Sequence, residues 1–211
     1  MLKVSELEKA VGGLSNPSKM PGFSYGIPAS ECLLGSILRQ KTGSTCSKCY
    51  ALKGMYVFPC VKNAQARRLK ILRENLPAWT QNMVALLSRK LEKREKVFRW
   101  HDSGDLQSVA HLGAIVEIAR ALPSVKFWLP TRERGMVAEW RKANGTLPRN
   151  LVVRVSAAMV GQNPPSIEGT LSSTVGYYDG IQCPAYSQGG QCGECRMCWN
   201  PHIHSVNYPL H

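Results

Sequence analysis

The sequence lacks any apolar run near the length of about 20 residues that crosses a bilayer. Its first residues also lack the basic segment and apolar core of a signal peptide. We therefore expect a soluble, cytoplasmic protein that makes no membrane contact. No internal repeat or low-complexity segment is present, and 211 residues with 44% apolar side chains suffice for a single folded domain.

Acidic residues are scarce relative to basic ones. The chain has 27 Lys and Arg against 14 Asp and Glu, which gives a formal net charge of +13. Because summed positive potential attracts polyanions, nucleic acid is a candidate partner for this basic surface. Residues 67–70 and 89–94 carry two basic clusters on predicted helices, and ordinary solvated helix faces would explain both equally well.

Cysteine is missing from the whole middle of the chain, between Cys60 and Cys183. The eight cysteines form one group of four toward each end. A reducing cytoplasm disfavours disulfides, and scattered core thiols would not cluster in this way, so the pattern indicates two sets of metal ligands. The candidate ligands are Cys32, Cys46, Cys49, Cys60, Cys183, Cys192, Cys195 and Cys198.

The C-terminal group has the more specific spacing. Cys192, Cys195 and Cys198 recur at two-residue intervals, so a tightly turning backbone can direct three thiols at one centre, and Cys183 is followed by Pro184. Bacterial ferredoxins bind iron–sulfur clusters with a similar C-x2-C-x2-C run and a Cys-Pro. We favour a [4Fe-4S] cluster here and keep zinc as the alternative, since zinc ribbons use two separated C-x2-C pairs.

The chain divides into four segments within one domain. Glycine and proline breaks predict an irregular lead-in over residues 1–30, and a cysteine loop follows over 31–63. Residues 64–160 form a βα core, which begins with a helix from residue 64 and a second helix after a break at Pro77. Residues 161–211 form a loop-rich, cysteine-rich tail.

The centre of the core alternates between two kinds of pattern. Short β-branched and aromatic runs predict three strands, and apolar residues at helical spacing predict two helices between them. This order indicates βαβ units and a parallel sheet in an α/β fold. The predicted strands cover residues 97–101, 125–129 and 151–155, and the helices cover 109–122 and 133–143.

Polar residues follow each predicted strand at its carboxyl end, where parallel α/β folds place their functional sites. We expect one ligand-binding rim there, although helix capping alone would explain any single polar side chain. Asp102 and Asp105 could hold a cation, and Arg132 a carboxylate or phosphate. Strand alternation places Arg154 on the same face as Val152 and Ser156. There its side chain would either point into the barrel toward a ligand or form a buried ion pair with one of the aspartates. The candidates for chemistry are His101, Asp102, Asp105, Arg132 and Arg154.

Cys46-Ser-Lys-Cys49 stands before the βα units and is followed directly by Tyr50. This arrangement resembles the cluster-binding loop of radical S-adenosylmethionine (SAM) enzymes, with the family's C-x3-C-x2-C stretched to C-x13-C-x2-C from Cys32. Ser103-Gly104-Asp105 resembles the segment that receives the amino group of SAM in that superfamily. The resemblance implies a partial (βα) barrel, a three-cysteine [4Fe-4S] cluster and SAM as cofactor, unless Cys60 closes the fourth iron position. The cofactor-binding residues it implies are Ser103, Gly104, Asp105, Thr131 and Arg154.

Residues 46–54, 99–105, 130–132 and 192–199 resemble a phage-encoded family called gene product 88. The resemblance implies a viral origin, the cytoplasm of an infected bacterium and an iron–sulfur cluster, but no particular activity. We therefore expect a phage iron–sulfur protein on a radical-SAM-like scaffold, as a redox or radical enzyme acting on nucleic acid or a small molecule. The alternative is a non-catalytic, metal-stabilised module that docks on nucleic acid or a host protein.

Overall fold

A seven-stranded sheet forms the centre of the molecule. The computed structural model describes residues 2–177 and 179–210. Every strand pair in the sheet is parallel, the spatial order is β1-β2-β3-β4-β5-β7-β6, and the sheet does not close on itself. The strands are β1 (Phe23–Tyr25), β2 (Val97–Trp100), β3 (Lys126–Thr131), β4 (Leu151–Ser156), β5 (Leu171–Val175), β6 (Ile181–Gln182) and β7 (Ser205–Tyr208).

A layer of helices covers one face of the sheet and holds the main core. The core packs apolar side chains of α4, such as Trp79 and Met83, with Phe98 and Trp100 of β2 and Phe127 of β3. None of the helices in the described part of the chain has the length and apolar character that crossing a membrane requires. The helices are α1 (Val4–Val11), α2 (Leu33–Arg39), α3 (Pro59–Glu74), α4 (Leu76–Lys90), α5 (Val109–Ala121) and α6 (Arg134–Asn144).

The opposite face of the sheet carries a smaller apolar cluster. Val97 and Trp128 of the sheet pack there against Cys198 and Trp199 of the C-terminal segment. Strand alternation puts Arg99 of β2 and Arg154 of β4 on this same face. The tail therefore covers the part of this face around Val97, Trp128 and Arg154.

The parallel α/β core is confirmed, with β2, α5, β3, α6 and β4 each within a few residues of the predicted bounds. The irregular lead-in is wrong in part, because residues 1–30 include α1 and β1. Glycine and proline bound these elements instead of excluding them: α1 ends at Gly12, whose φ of 82° is left-handed, and Pro28 follows the strand. The side chain of Tyr25 in β1 donates to the carbonyl of Val11 at 2.8 Å and ties the two together.

The first long helix also begins earlier than predicted. It starts at Pro59, a residue suited to the first turn of a helix, so Cys60 lies in α3 and not in a loop. The break between α3 and α4 falls at Asn75, whose side chain caps α4 by accepting from the backbone N–H of Ala78 at 3.0 Å. Pro77 lies within the first turn of α4, where its missing N–H costs nothing.

The tail contributes more regular structure than expected. β5, β6 and β7 extend the parallel sheet beyond β4, and none of them was predicted. β5 is mostly polar, with Ser172, Ser173 and Thr174 all buried. Its pairing depends on polar contacts, such as the hydrogen bond from Thr174 Oγ1 to Asn207 Oδ1 of β7 at 3.0 Å.

Candidate functional site

A cavity of about 880 Å³ opens at the carboxyl ends of the central strands. The loops after β2, β3 and β4 form one wall, and the segment from Cys32 to Ala51 forms another. Loops of this kind collect at the carboxyl edge of a parallel sheet, which is where such folds bind ligands. The predicted rim is therefore a concave site, with most of the predicted polar residues on its wall.

Three of the four N-terminal cysteines line this cavity, namely Cys32, Cys46 and Cys49. Cys32 directly precedes α2, and Gly35 of that helix leaves room beside it. A Cβ on Gly35 would lie 2.9 Å from the Cβ of Cys32, 3.6 Å from its sulfur and 3.8 Å from the sulfur of Cys46. Burial, then the neighbouring Asp105, Cys49 and Cys46, raise the pKa of Cys32 to about 12.

Cys60 does not join this group. It is exposed, near the start of α3, and it is outside the cavity wall. The spacing in the sequence suggested Cys60 as a fourth ligand, but Cys60 lies in the first turn of α3 and does not line the cavity that the other three share. The structure thus brings together three N-terminal thiols.

The four C-terminal cysteines lie close together within the tail. The backbone N–H of Cys195 donates to the carbonyl of Cys192 at 2.9 Å, which is the tight turn that the C-x2-C spacing predicts. Electrostatic interactions link Cys183 with Cys195, Cys192 and Cys198. Cys198 is buried, its sulfur is 3.1 Å from the hydroxyl of Tyr208, and burial raises its pKa to about 12. All eight thiols are free of disulfides.

Neither cysteine group has the geometry of a single-ion site. Within residues 2–177 and 179–210, no set of three or more His, Cys, Asp or Glu side chains is arranged to hold one metal ion. A tetrahedral zinc site requires thiolate sulfurs about 2.3 Å from a common centre. The role of the cysteines as metal ligands therefore stays a prediction.

Asp105 is the one carboxylate on the cavity wall among the described residues. Its Oδ1 accepts from Thr131 Oγ1 at 2.6 Å and from the backbone N–H of Leu106 at 2.8 Å. Its Oδ2 accepts from the backbone N–H of Arg132 at 2.8 Å. Burial raises its pKa despite these bonds. Asp105 thus joins the loop after β2 to the end of β3, and three of its acceptor positions are already in use.

Arg132 lies beside the cysteines. Its Nη1 donates to the carbonyl of Ala157 at 2.5 Å, and its positive charge acts on the thiol of Cys46. Burial raises the pKa of Cys46, and the nearby guanidinium opposes that rise. Arg132 therefore favours a thiolate at Cys46, and its remaining donors are available to a ligand in the cavity.

Asp102 lies apart from Asp105 and Arg132, outside the cavity wall. Its backbone carbonyl accepts from the hydroxyls of Tyr50 at 2.6 Å and Tyr56 at 3.3 Å. Its buried Oδ1 has no hydrogen-bond partner among the described residues. The sequence grouped Asp102 with Asp105 and Arg132, but in the structure only Asp105 and Arg132 line the cavity.

The turn after β2 has an unusual backbone. Gly104 has a φ of 83°, and a Cβ there would lie 2.3 Å from Ile27 Cγ1, so the position requires glycine. Ser103 holds the same turn against β1, because its carbonyl accepts from the N–H of Ile27 at 2.9 Å. His101 is the one non-glycine residue of the described chain with a positive φ, at 56°. Such strain concentrates at functional sites.

Arg154 neither faces the cavity nor forms the buried ion pair that the sequence suggested. Its side chain is fully buried and donates to six backbone carbonyls, with no aspartate among its partners. Most of them belong to the C-terminal segment, and they include Cys198 at 3.1 Å and Met197 at 3.0 Å. Arg154 does not line the cavity, so we leave it out of the proposed cofactor site.

Several wall residues were not predicted as site residues, among them Arg39, Tyr50, Arg99, Trp128 and Tyr208. The guanidinium of Arg99 lies over the ring of Trp128, 4.5 Å from its centroid. Its Nη2 donates to the hydroxyl of Tyr50 at 3.1 Å. Strand alternation away from Phe98 and Trp100 was the available signal for Arg99, but it does not reveal that Arg99 lies on the cavity wall.

These features define a parallel α/β protein with a cysteine-lined cavity at the carboxyl edge of its sheet. The family model described as Gene product 88 matches residues 2–201, and the chain belongs to this phage protein family. Comparisons with curated proteins and with solved structures found no match.

Proposed function

We propose that the protein is an iron–sulfur enzyme on a radical-SAM-like scaffold. In this proposal Cys32, Cys46 and Cys49 hold a [4Fe-4S] cluster whose fourth iron faces the cavity, and SAM binds beside it. The observation that carries the proposal is the convergence of three thiols on one cavity while Cys60 lies apart. A site with three ligands leaves one iron position open.

The spacing of the C-terminal cysteines favours a cluster over zinc. Cys192, Cys195 and Cys198 recur at two-residue intervals, as in the C-x2-C-x2-C run of bacterial ferredoxins. Zinc ribbons instead use two separated C-x2-C pairs. Zinc is the alternative that metal analysis would reveal.

The chain's own residues would position SAM. Gly104 and Ser103 present a turn at the cavity, and Arg132 has guanidinium donors suited to the carboxylate of SAM. Thr131 and Asp105 hold this wall in place through their mutual hydrogen bond. When bound, the cluster would supply the electron that cleaves the sulfonium of SAM reductively.

The C-terminal group is proposed to hold a second cluster, closed by four cysteines. The buried guanidinium of Arg154 lies beneath it with carbonyl partners alone. A buried cation without a counter-ion is costly. A cluster with four thiolate ligands is anionic, so binding it would compensate this charge.

The test compares two single-cysteine variants after anaerobic reconstitution with iron and sulfide. Wild type and Cys60→Ser should each cleave SAM to 5′-deoxyadenosine under dithionite, whereas Cys46→Ser should not. Cys60→Ser is the matched control, because it removes a thiol of the same group that lies outside the cavity. Loss of cleavage in Cys60→Ser, or no cleavage by the wild type with its clusters intact, would contradict the proposal.

A second candidate is a non-catalytic module that docks on nucleic acid or a host protein. The observation in its favour is the net charge of +13, with basic residues such as Lys62 and Lys70 exposed on α3. A protein that binds single-stranded DNA in a salt-dependent manner, and binds clusters without cleaving SAM, would be this module.

A further inference from the structure

The cavity wall is strongly cationic. Among the described residues, the wall has four cationic side chains and one carboxylate. The cations are Arg39, Lys48, Arg99 and Arg132, and the carboxylate is Asp105. Asp105 already accepts three hydrogen bonds from the fold. None of the four cations takes part in an ion pair with a described carboxylate. The proposed cluster on three thiolates would add about one negative charge, so the wall stays cationic and is suited to an anionic occupant.

Arg99 is the cation best placed to anchor that occupant. Its guanidinium is fixed by the ring of Trp128 on one side and by the hydroxyl of Tyr50, which accepts at 3.1 Å. The sulfur of Met20 is its only other hydrogen-bond partner within the described residues, at 3.7 Å, and its buried Nε has none. Asp102 influences it electrostatically but forms no ion pair with it. Arg99 thus presents a rigid positive charge to the cavity.

One bound SAM would not use all of these cations. Its single carboxylate needs one guanidinium, for which Arg132 is the candidate, while its sulfonium and ammonium are positive themselves. Arg39, whose Nη2 donates to the carbonyl of Ala29 at 3.0 Å and whose Nε lacks a partner, Lys48 and Arg99 would remain. The volume of about 880 Å³ lies near the upper end of the ~300–1,000 Å³ range of ligand cavities, which allows for a second molecule.

We propose that the second occupant, the substrate, carries a phosphoryl group that binds Arg99. A phosphate has the charge and the several acceptor oxygens that guanidinium groups bind in a bidentate manner. Tyr50 is exposed on the same wall, and its aromatic ring suits a base attached to the phosphate. The substrate class is a nucleotide, either free or within a nucleic-acid strand. This inference names the substrate of the proposed enzyme and rests on the proposed site.

The experiment measures binding by calorimetry to the full chain, before iron is added. The probes are thymidine 5′-monophosphate, thymidine, and a five-nucleotide thymidine oligomer. Thymidine 5′-monophosphate should bind at least about tenfold more tightly than thymidine, the ratio expected of one charge-assisted phosphate contact. Equal affinities for the two would overturn the proposal. Preferential binding of the oligomer would assign the phosphoryl group to a nucleic-acid strand, and preferential binding of the monophosphate to a free nucleotide.

Variants then test the role of Arg99. Arg99→Gln should bring the affinity for thymidine 5′-monophosphate close to that for thymidine, and Arg99→Lys should give an intermediate loss because it keeps the charge without the bidentate geometry. Arg120→Gln is the control, since Arg120 is exposed on α5 outside the cavity. Full retention of phosphate binding in Arg99→Gln, or an equal loss in Arg120→Gln, would refute the assignment. Because neither iron nor reductant is present, this result is independent of whether the clusters form.

Discussion

Replacing Arg154 with methionine should destabilise the C-terminal cysteine segment more than any surface change. The side chain is fully buried, and four of its six hydrogen bonds to carbonyls are 3.1 Å or shorter. Each charge-assisted bond contributes about 1.5–3 kcal/mol, but bonds that share one side chain are not additive. A buried carbonyl left without its donor costs about 1–3 kcal/mol, and since these losses are not additive we expect a total of about 4 kcal/mol.

Urea unfolding of the metal-free protein measures this loss directly, and limited proteolysis would show cleavage within residues 179–204 at urea concentrations that leave the wild type intact. Arg149→Met is the matched control, because Arg149 is an exposed arginine shortly before β4. It should change the free energy of unfolding by less than about 0.5 kcal/mol. If Arg154→Met also stays within about 1 kcal/mol of wild type, the six carbonyl contacts do not hold the segment and our account of Arg154 is wrong.

Three further predictions follow from the turn after β2 and from the buried histidine and tyrosine. Gly104→Ala should cost more than Gly54→Ala, by about 1–3 kcal/mol in urea unfolding, because both have positive φ but only Gly104 faces a clash, with Ile27. Burial lowers the pKa of His111 to about 3, so the folded state resists a proton that the unfolded chain accepts near pH 6.5. The free energy of unfolding should therefore fall as pH drops from about 6.5 toward 3, by up to about 1.4 kcal/mol per pH unit. His111→Gln should reduce this dependence on pH, and an unchanged dependence would contradict the role of His111. Tyr208→Phe removes the hydroxyl 3.1 Å from Cys198 and should lower the midpoint potential of a reconstituted C-terminal cluster in a redox titration; an unchanged potential would show that the contact does not matter.

The sequence predicts the central βαβ units because their apolar residues are periodic. β2, β3 and β4 are rich in Val, Phe, Trp and Leu, and α5 shows apolar residues at helical spacing. Such apolar residues pack against one another in the core, so the elements that their periodicity predicts are the elements that form. The parallel arrangement follows from the helices that connect the strands.

The strands of the tail could not be recognised in this way. β5 reads Leu-Ser-Ser-Thr-Val and β7 reads Ser-Val-Asn-Tyr, and polar side chains fill positions that are buried in the sheet. Their burial is compensated by partners far away in the sequence, such as Asn207 for Thr174. No local pattern records such a partner, and the six carbonyls around Arg154 escape prediction for the same reason.

The candidate site was predicted best where its chemistry is local. Cys46, Cys49 and the polar residues after β2 and β3, which the sequence singled out, lie on the cavity wall. The positions of Cys60 and Asp102 depend on the tertiary structure. Cys60 lies in the helix that begins at Pro59, Asp102 lies in the turn after β2, and neither lines the cavity. Arg99 was missed because its place on the cavity wall depends on how the distant C-terminal segment packs on the sheet.

The most direct test of the central claim is the iron and acid-labile sulfide content of the anaerobically reconstituted protein, measured beside zinc. Two clusters predict about eight irons and eight sulfides per chain, and Cys46→Ser should retain about four of each at the C-terminal group. Zinc with no iron, or an iron content that does not depend on Cys46, would contradict the account.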